Sequence, residues 1–170
     1  ILSFACFTEN SFGLTPQEMD SEYQKSEAAK KNKNWSLVKK IVTPLAESGH
    51  AKSQTRLGAI YYYGLGEKKD LKKGLEWYQK AAKQGEPKAQ YFFGKFYFFG
   101  KAVPKDFKEA VKWYRLSADQ GFAPAQKNLG VMYNNGLGVP QDYKEAVKWY
   151  RLSADQGNEN AQKNLGFMYE

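Results

Sequence analysis

The chain repeats itself every 36 residues, and that period constrains its fold more than any other feature. Ala89, Ala125 and Ala161 share one register, as do Gly58, Gly94, Gly130 and Gly166. Tyr61, Tyr97, Tyr133 and Tyr169 follow, then Asp70, Asp106 and Asp142, Trp77, Trp113 and Trp149, and Gly85, Gly121 and Gly157. The segment Lys108 to Gly121 recurs unchanged from Lys144 to Gly157. A unit of this length, with two apolar stretches separated by Gly-rich turns, reads as a helix pair. One such pair cannot bury its apolar face alone, so neighbouring pairs must stack and share a core.

Each unit carries its own start and stop signals. In the first helix Ala125, Leu129, Met132 and Tyr133 fall on one face at about 100° per residue. Gly130 stands inside that helix at a cost of about 1 kcal/mol of helix propensity, so its recurrence implies close approach of a partner helix. Gly136 supplies a C-terminal stop. Asp142 is expected to cap the second helix, with Glu145 completing a capping box, as Glu109 does for Asp106. Asp70 is followed instead by Lys73, so that box is absent from its unit. The recurring Trp and Tyr residues fall at helix-face spacing and are expected in the core.

The expected organisation is a tail at 1–14, a degenerate helix pair at 15–52, full repeats at 53–88, 89–124 and 125–160, and the first helix of a further repeat at 161–170. Pro16 fits the first turn of the degenerate pair. The apolar start Ile1 to Phe7 reads either as the remnant of a signal peptide or as a segment packing on the first helix. The first reading implies a periplasmic or secreted protein, the second is compatible with the cytoplasm.

The ordered residues Ala125-Gln126, Leu129-Gly130, Met132-Tyr133, Gly136, Gly138-Val139, Asp142, Ala146, Trp149-Tyr150, Ala154 and Gly157 closely resemble the Sel1-like repeat, a relative of the tetratricopeptide repeat. The resemblance covers roughly 53–170, and its period separates it from the 34-residue tetratricopeptide unit. It implies an all-α fold: a right-handed α-solenoid of antiparallel helix pairs, whose first helices line the concave face. It also implies a non-catalytic adaptor or scaffold that binds protein, or, alternatively, a secreted or periplasmic regulator of a host or cell-envelope enzyme. The units depart from the pattern at Glu67-Lys68-Lys69 and at Lys101-Ala102, which leaves loop shape open there.

Composition narrows the chemistry. One Cys and one His exclude an internal disulfide and a four-ligand Cys/His zinc site, and no cofactor or metal is expected. The net charge is +8, but Lys108, Lys112, Lys144 and Lys148 recur beside Glu109 and Glu145 as a solvated helix face. Nucleic acid is therefore not an expected partner. No apolar run reaches the ~20 residues of a membrane span. Ser36 and Lys39 have the Ser-x-x-Lys spacing of serine-type penicillin-binding enzymes without its companion motifs. A Ser/His/Asp arrangement has little to draw on with a single His, so hydrolase-like activity is a remote alternative.

Specificity should lie where units differ. Places three, seven and ten of the first helix point away from the core, flanked by four and eleven. In one unit these are Lys127, Val131 and Asn134, with Asn128 and Asn135. In the unit before they are Tyr91, Lys95 and Phe98, with Phe92 and Phe99, joined by Tyr62 and Tyr63 from the preceding unit. These rings, with Arg56 and Lys95 beside them, are the expected protein- or peptide-binding patch. Packing between helices is the competing role for the rings, above all for Phe92 and Phe99.

Overall fold

A computed structural model describes residues 13–168. The expectations for Ile1 to Phe7 and for Tyr169 fall outside these residues. The described residues form helices and no strand, in the order α1 (Pro16–Lys31), α2 (Trp35–Glu47), α3 (Ala51–Tyr63), α4 (Leu71–Lys83), α5 (Pro87–Phe99), α6 (Phe107–Asp119), α7 (Ala123–Asn135), α8 (Tyr143–Ala154) and α9 (Glu159–Phe167). Each helix packs on the next, giving a solenoid of antiparallel pairs. The first helices α3, α5 and α7 begin two residues before the nearest boundaries read from the sequence repeat.

The recurring glycines explain how the pairs close. A Cβ on Gly58 would come within 3.0 Å of the Tyr78 ring, one on Gly94 within 2.9 Å of Tyr114, and one on Gly130 within 2.6 Å of Tyr150. The close approach expected at these positions is therefore ring on backbone. Tyr78 and Tyr114 are fully buried and Tyr150 nearly so, whereas Trp77 and Trp113 are only partly buried.

A ladder of glutamines joins pair to pair. Buried Gln54, Gln90 and Gln126 each donate to a carbonyl of the preceding helix, at Ala46, Ala82 and Ala118 (3.0–3.4 Å). Gln84, Gln120 and Gln156 then donate to their side-chain oxygens at 2.7–2.8 Å. Buried amides are thereby paired on both sides, as an apolar interior requires. Because Gln54 reaches back to Ala46, the degenerate pair α1–α2 is joined by the same device as the repeats.

The caps differ from expectation in one respect. Asp106 and Asp142 accept from backbone N–H groups of the first turn at 2.9–3.0 Å, as expected. Glu109 and Glu145 do not complete capping boxes. The N–H of Asp106 is already taken by the Tyr97 carbonyl and that of Asp142 by Tyr133, so the glutamates turn forward. They accept from the indole N–H of Trp113 and Trp149 at 3.2 and 3.1 Å. The reciprocal box occurs in α1, between Thr15 and Glu18.

The loops left open by the sequence keep one shape. Gly66, Ala102 and Gly138 occupy the same register with φ of 73°, 59° and 73°. Ala102 thus adopts the left-handed turn that glycine makes at the other two positions.

Candidate protein-binding face

The first helices present a face that turns away from the second helices, and its middle is aromatic. Tyr63 and Phe99 end α3 and α5 and are 52% and 53% exposed. Both precede a left-handed Gly cap, which stops the helix and leaves the ring at its rim. Phe98 lies 4.9 Å from Phe99 between ring centroids, edge to face, and leans on Phe107 at 5.4 Å. Tyr91 packs at 5.4 Å from Phe122 and 5.9 Å from Tyr114. Both Tyr91 and Phe98 are partly exposed.

Two rings of the expected patch lie beneath this surface. Tyr62 and Phe92 are 7% and 8% exposed and belong to the core between α3, α4 and α5. Phe92 stacks on Tyr78 at 4.8 Å, and Tyr62 meets Phe96 at 5.4 Å. Packing between helices, the competing role for Phe92, is what its contacts give; Phe99, weighed alongside it, faces solvent.

Lys95 rides over this floor, its Nζ 5.1 Å from the Phe92 ring, 5.5 Å from Tyr91 and 5.8 Å from Tyr62. Lys101 approaches the same face, its Nζ 5.2 Å from the ring of Phe99. Burial, with Lys101 and Lys127 nearby, pushes the Lys95 ammonium below the usual lysine range; burial alone does so for Lys127. Arg56 stands apart from the aromatic patch. It is buried against α1, donating to the Tyr23 hydroxyl at 2.8 Å and pairing with Glu27. Tethering α1 to α3 is therefore its local role, and its charge is already met.

The residues considered for chemistry are held in structural contacts. Lys39 donates to Glu67 at 2.8 Å, and that hydrogen bond raises its pKa, so it is a poor base for the exposed Ser36. His50 does meet a serine and an aspartate, which the sequence reading did not anticipate. Its Nδ1 lies 2.8 Å from Ser53 Oγ and its Nε2 3.3 Å from Asp20 Oδ1. Ser53, however, is fully buried on the core side of α3, out of reach of a substrate. Among the described residues no group of three or more His, Cys, Asp or Glu could hold a metal ion, and no helix is long and apolar enough to cross a membrane.

Stacked helix pairs that bury successive core clusters between neighbours, with an exposed face of varied side chains, define a helical-repeat solenoid. The Sel1 repeat family model matches residues 51–86, 87–122 and 123–158, and the chain belongs to that family. These bounds coincide with the helix starts rather than with the sequence-derived repeat boundaries. Such proteins are generally protein–protein interaction scaffolds.

The chain is similar to a Sel1 repeat protein from Oxalobacter formigenes, at 33% identity and a TM-score of 0.81 over 87% of this chain and 59% of that one. It is also similar to c5321, a protective antigen of uropathogenic Escherichia coli with this fold, at 44% identity and a TM-score of 0.72 over 75% of this chain and 27% of that one. It shares the fold of cysteine-rich protein B of Helicobacter pylori, at 22% identity and a TM-score of 0.57 over 90% and 98% of the two chains. The chain thus spans 59% and 27% of the first two proteins. No curated protein sequence matches it.

Proposed function

We propose that this chain is a non-catalytic scaffold that binds a protein or peptide segment on the concave face of its first helices. The carrying observation is the clustering on α3 and α5 of Tyr63 and Phe99, both half exposed, with the partly exposed Tyr91, Lys95 and Phe98. Isolated exposed apolar residues are ordinary, but clustered aromatic residues beside a cation have the composition of binding hot spots. The same places in the next unit are Lys127, Val131, Asn134 and Asn135, so the surface is local to two units and not a property of the repeat.

A displayed library of random peptides, selected on the full chain, tests this reading. Selected peptides should lose binding to a Tyr63→Ser/Phe99→Ser double variant, whose stability should stay within about 1 kcal/mol because both rings are half exposed. Tyr91 and Phe98 are poorer choices, since they rest on core rings. Peptides that bind the double variant as well as the parent would place the site elsewhere.

A further inference from the structure

We infer that the segment taken by this face is acidic, setting carboxylates against Lys95, Lys101 and Lys127 while its apolar side chains meet Phe99 and Tyr63. This rests on the binding reading above and adds the chemistry of the occupant.

The first support is how the partly buried lysines are met. Among the described residues these are Lys39, Lys95 and Lys127, and of them Lys39 pairs with Glu67 at 2.8 Å. No carboxylate among the described residues comes within 4 Å of Lys95, Lys101 or Lys127. Two of the three are partly buried, and Lys95 feels the charges of both others. Like charges gathered in a partly dry place carry a potential that an incoming anion relieves.

The second support is the repeat itself. The register positions of Lys95 are Ala59 and Val131, and those of Lys101 are Leu65 and Leu137. Lysine therefore replaces small or apolar residues twice, and both times on the unit that carries Phe99. The aryl floor holds the Lys95 ammonium at 5.1–5.8 Å from three ring centroids, which fixes its position without neutralising it.

A peptide fits this surface better than a nucleic acid does. A phosphate backbone calls for a cationic track. Here the places of Lys95 and Lys101 carry Ala59, Val131, Leu65 and Leu137 in the neighbouring units, so these two cations do not repeat along the array.

The test uses the same peptide library with a triple variant, Lys95→Met/Lys101→Met/Lys127→Met, which removes charge and keeps the aliphatic stems. Peptides selected on the parent chain should be enriched in Asp and Glu. They should bind the triple variant at least about ten-fold more weakly, weaken as salt is raised, and leave its melting temperature close to the parent's. Should the triple variant fail to fold, the single variant Lys101→Met, at an exposed loop residue, carries the same expectation with a smaller loss. Selected peptides that depend on Tyr63 and Phe99 but are not acidic, and bind the lysine variants unchanged, would overturn this inference and leave the scaffold reading intact. A library that yields no binder overturns both. An oligothymidylate that binds in the same lysine-dependent way and displaces the peptides would assign the site to nucleic acid instead.

Discussion

Gly130 lies against the ring of Tyr150 so closely that a Cβ on the glycine would sit 2.6 Å from the Tyr150 Cδ1 atom. Equivalent contacts join Gly94 to Tyr114 at 2.9 Å and Gly58 to Tyr78 at 3.0 Å. Alanine would gain about 1 kcal/mol of helix propensity but would force a buried ring and its helix apart, which costs roughly 1–3 kcal/mol. Gly130→Ala should therefore destabilise most and Gly58→Ala least, with the last close to neutral. Urea unfolding of the three variants gives the order.

Ala102 points the other way. It holds φ of 59° where its counterparts are glycine, a conformation that costs an L-residue roughly 1 kcal/mol. Ala102→Gly should raise stability by a few tenths to about 1 kcal/mol, the strain relief exceeding the added freedom of the unfolded chain. Unchanged or lower stability in denaturant unfolding would mean that the turn is not strained.

Most of this fold was legible because its signals recur. The glycine against Tyr, the Asp cap and the Gly stop each stand three times at one spacing, and repetition separates a rule from an accident. The glutamine ladder was equally visible at Gln54, Gln90 and Gln126 and at Gln84, Gln120 and Gln156. Its role was not, because pairing between residues 30 apart in sequence depends on how two units stack. Glu145 misled because a capping box and an indole contact make the same demand on sequence. The deciding fact, that Tyr133 already occupies the Asp142 N–H, is tertiary.

The binding face was less legible. Helical spacing placed Tyr63, Tyr91, Lys95, Phe98 and Phe99 on one side, but it could not divide rim from floor. Tyr62 and Phe92 sank into the core because the next helix covers them. Arg56 found Glu27 on a helix outside the repeat pattern.

Arg56 gives a third prediction. Its guanidinium is buried and bonded to Glu27 and Tyr23. Glu27→Ala would leave that charge without its carboxylate, at a cost of about 2 kcal/mol. The loss should fall on the α1–α2 pair, so hydrogen exchange should accelerate in α1 well before α7. Uniform acceleration along the array would contradict a local tether.

His50 gives the fourth. Burial holds its pKa below the ordinary histidine value of about 6.5, although hydrogen bonding to Asp20 and that carboxylate's charge act in the opposite sense. The folded protein thus favours neutral His50 more than the unfolded chain does. The resulting stability is present above about pH 6.5 and declines as pH falls from there towards the lowered folded value. Melting temperatures between about pH 7 and 5 should fall more for the parent chain than for His50→Gln. Parallel curves would show that His50 contributes no pH dependence in this window.

The most direct measurement of the scaffold reading is photo-cross-linking of a selected peptide from either face. One protein carries p-benzoylphenylalanine in place of Phe99, on the first-helix face, and the other carries it in place of Leu116, an exposed position on α6. Binding on the concave aromatic face predicts a peptide cross-link from position 99 and none from position 116. A cross-link from 116, or equal yields from both, would contradict it.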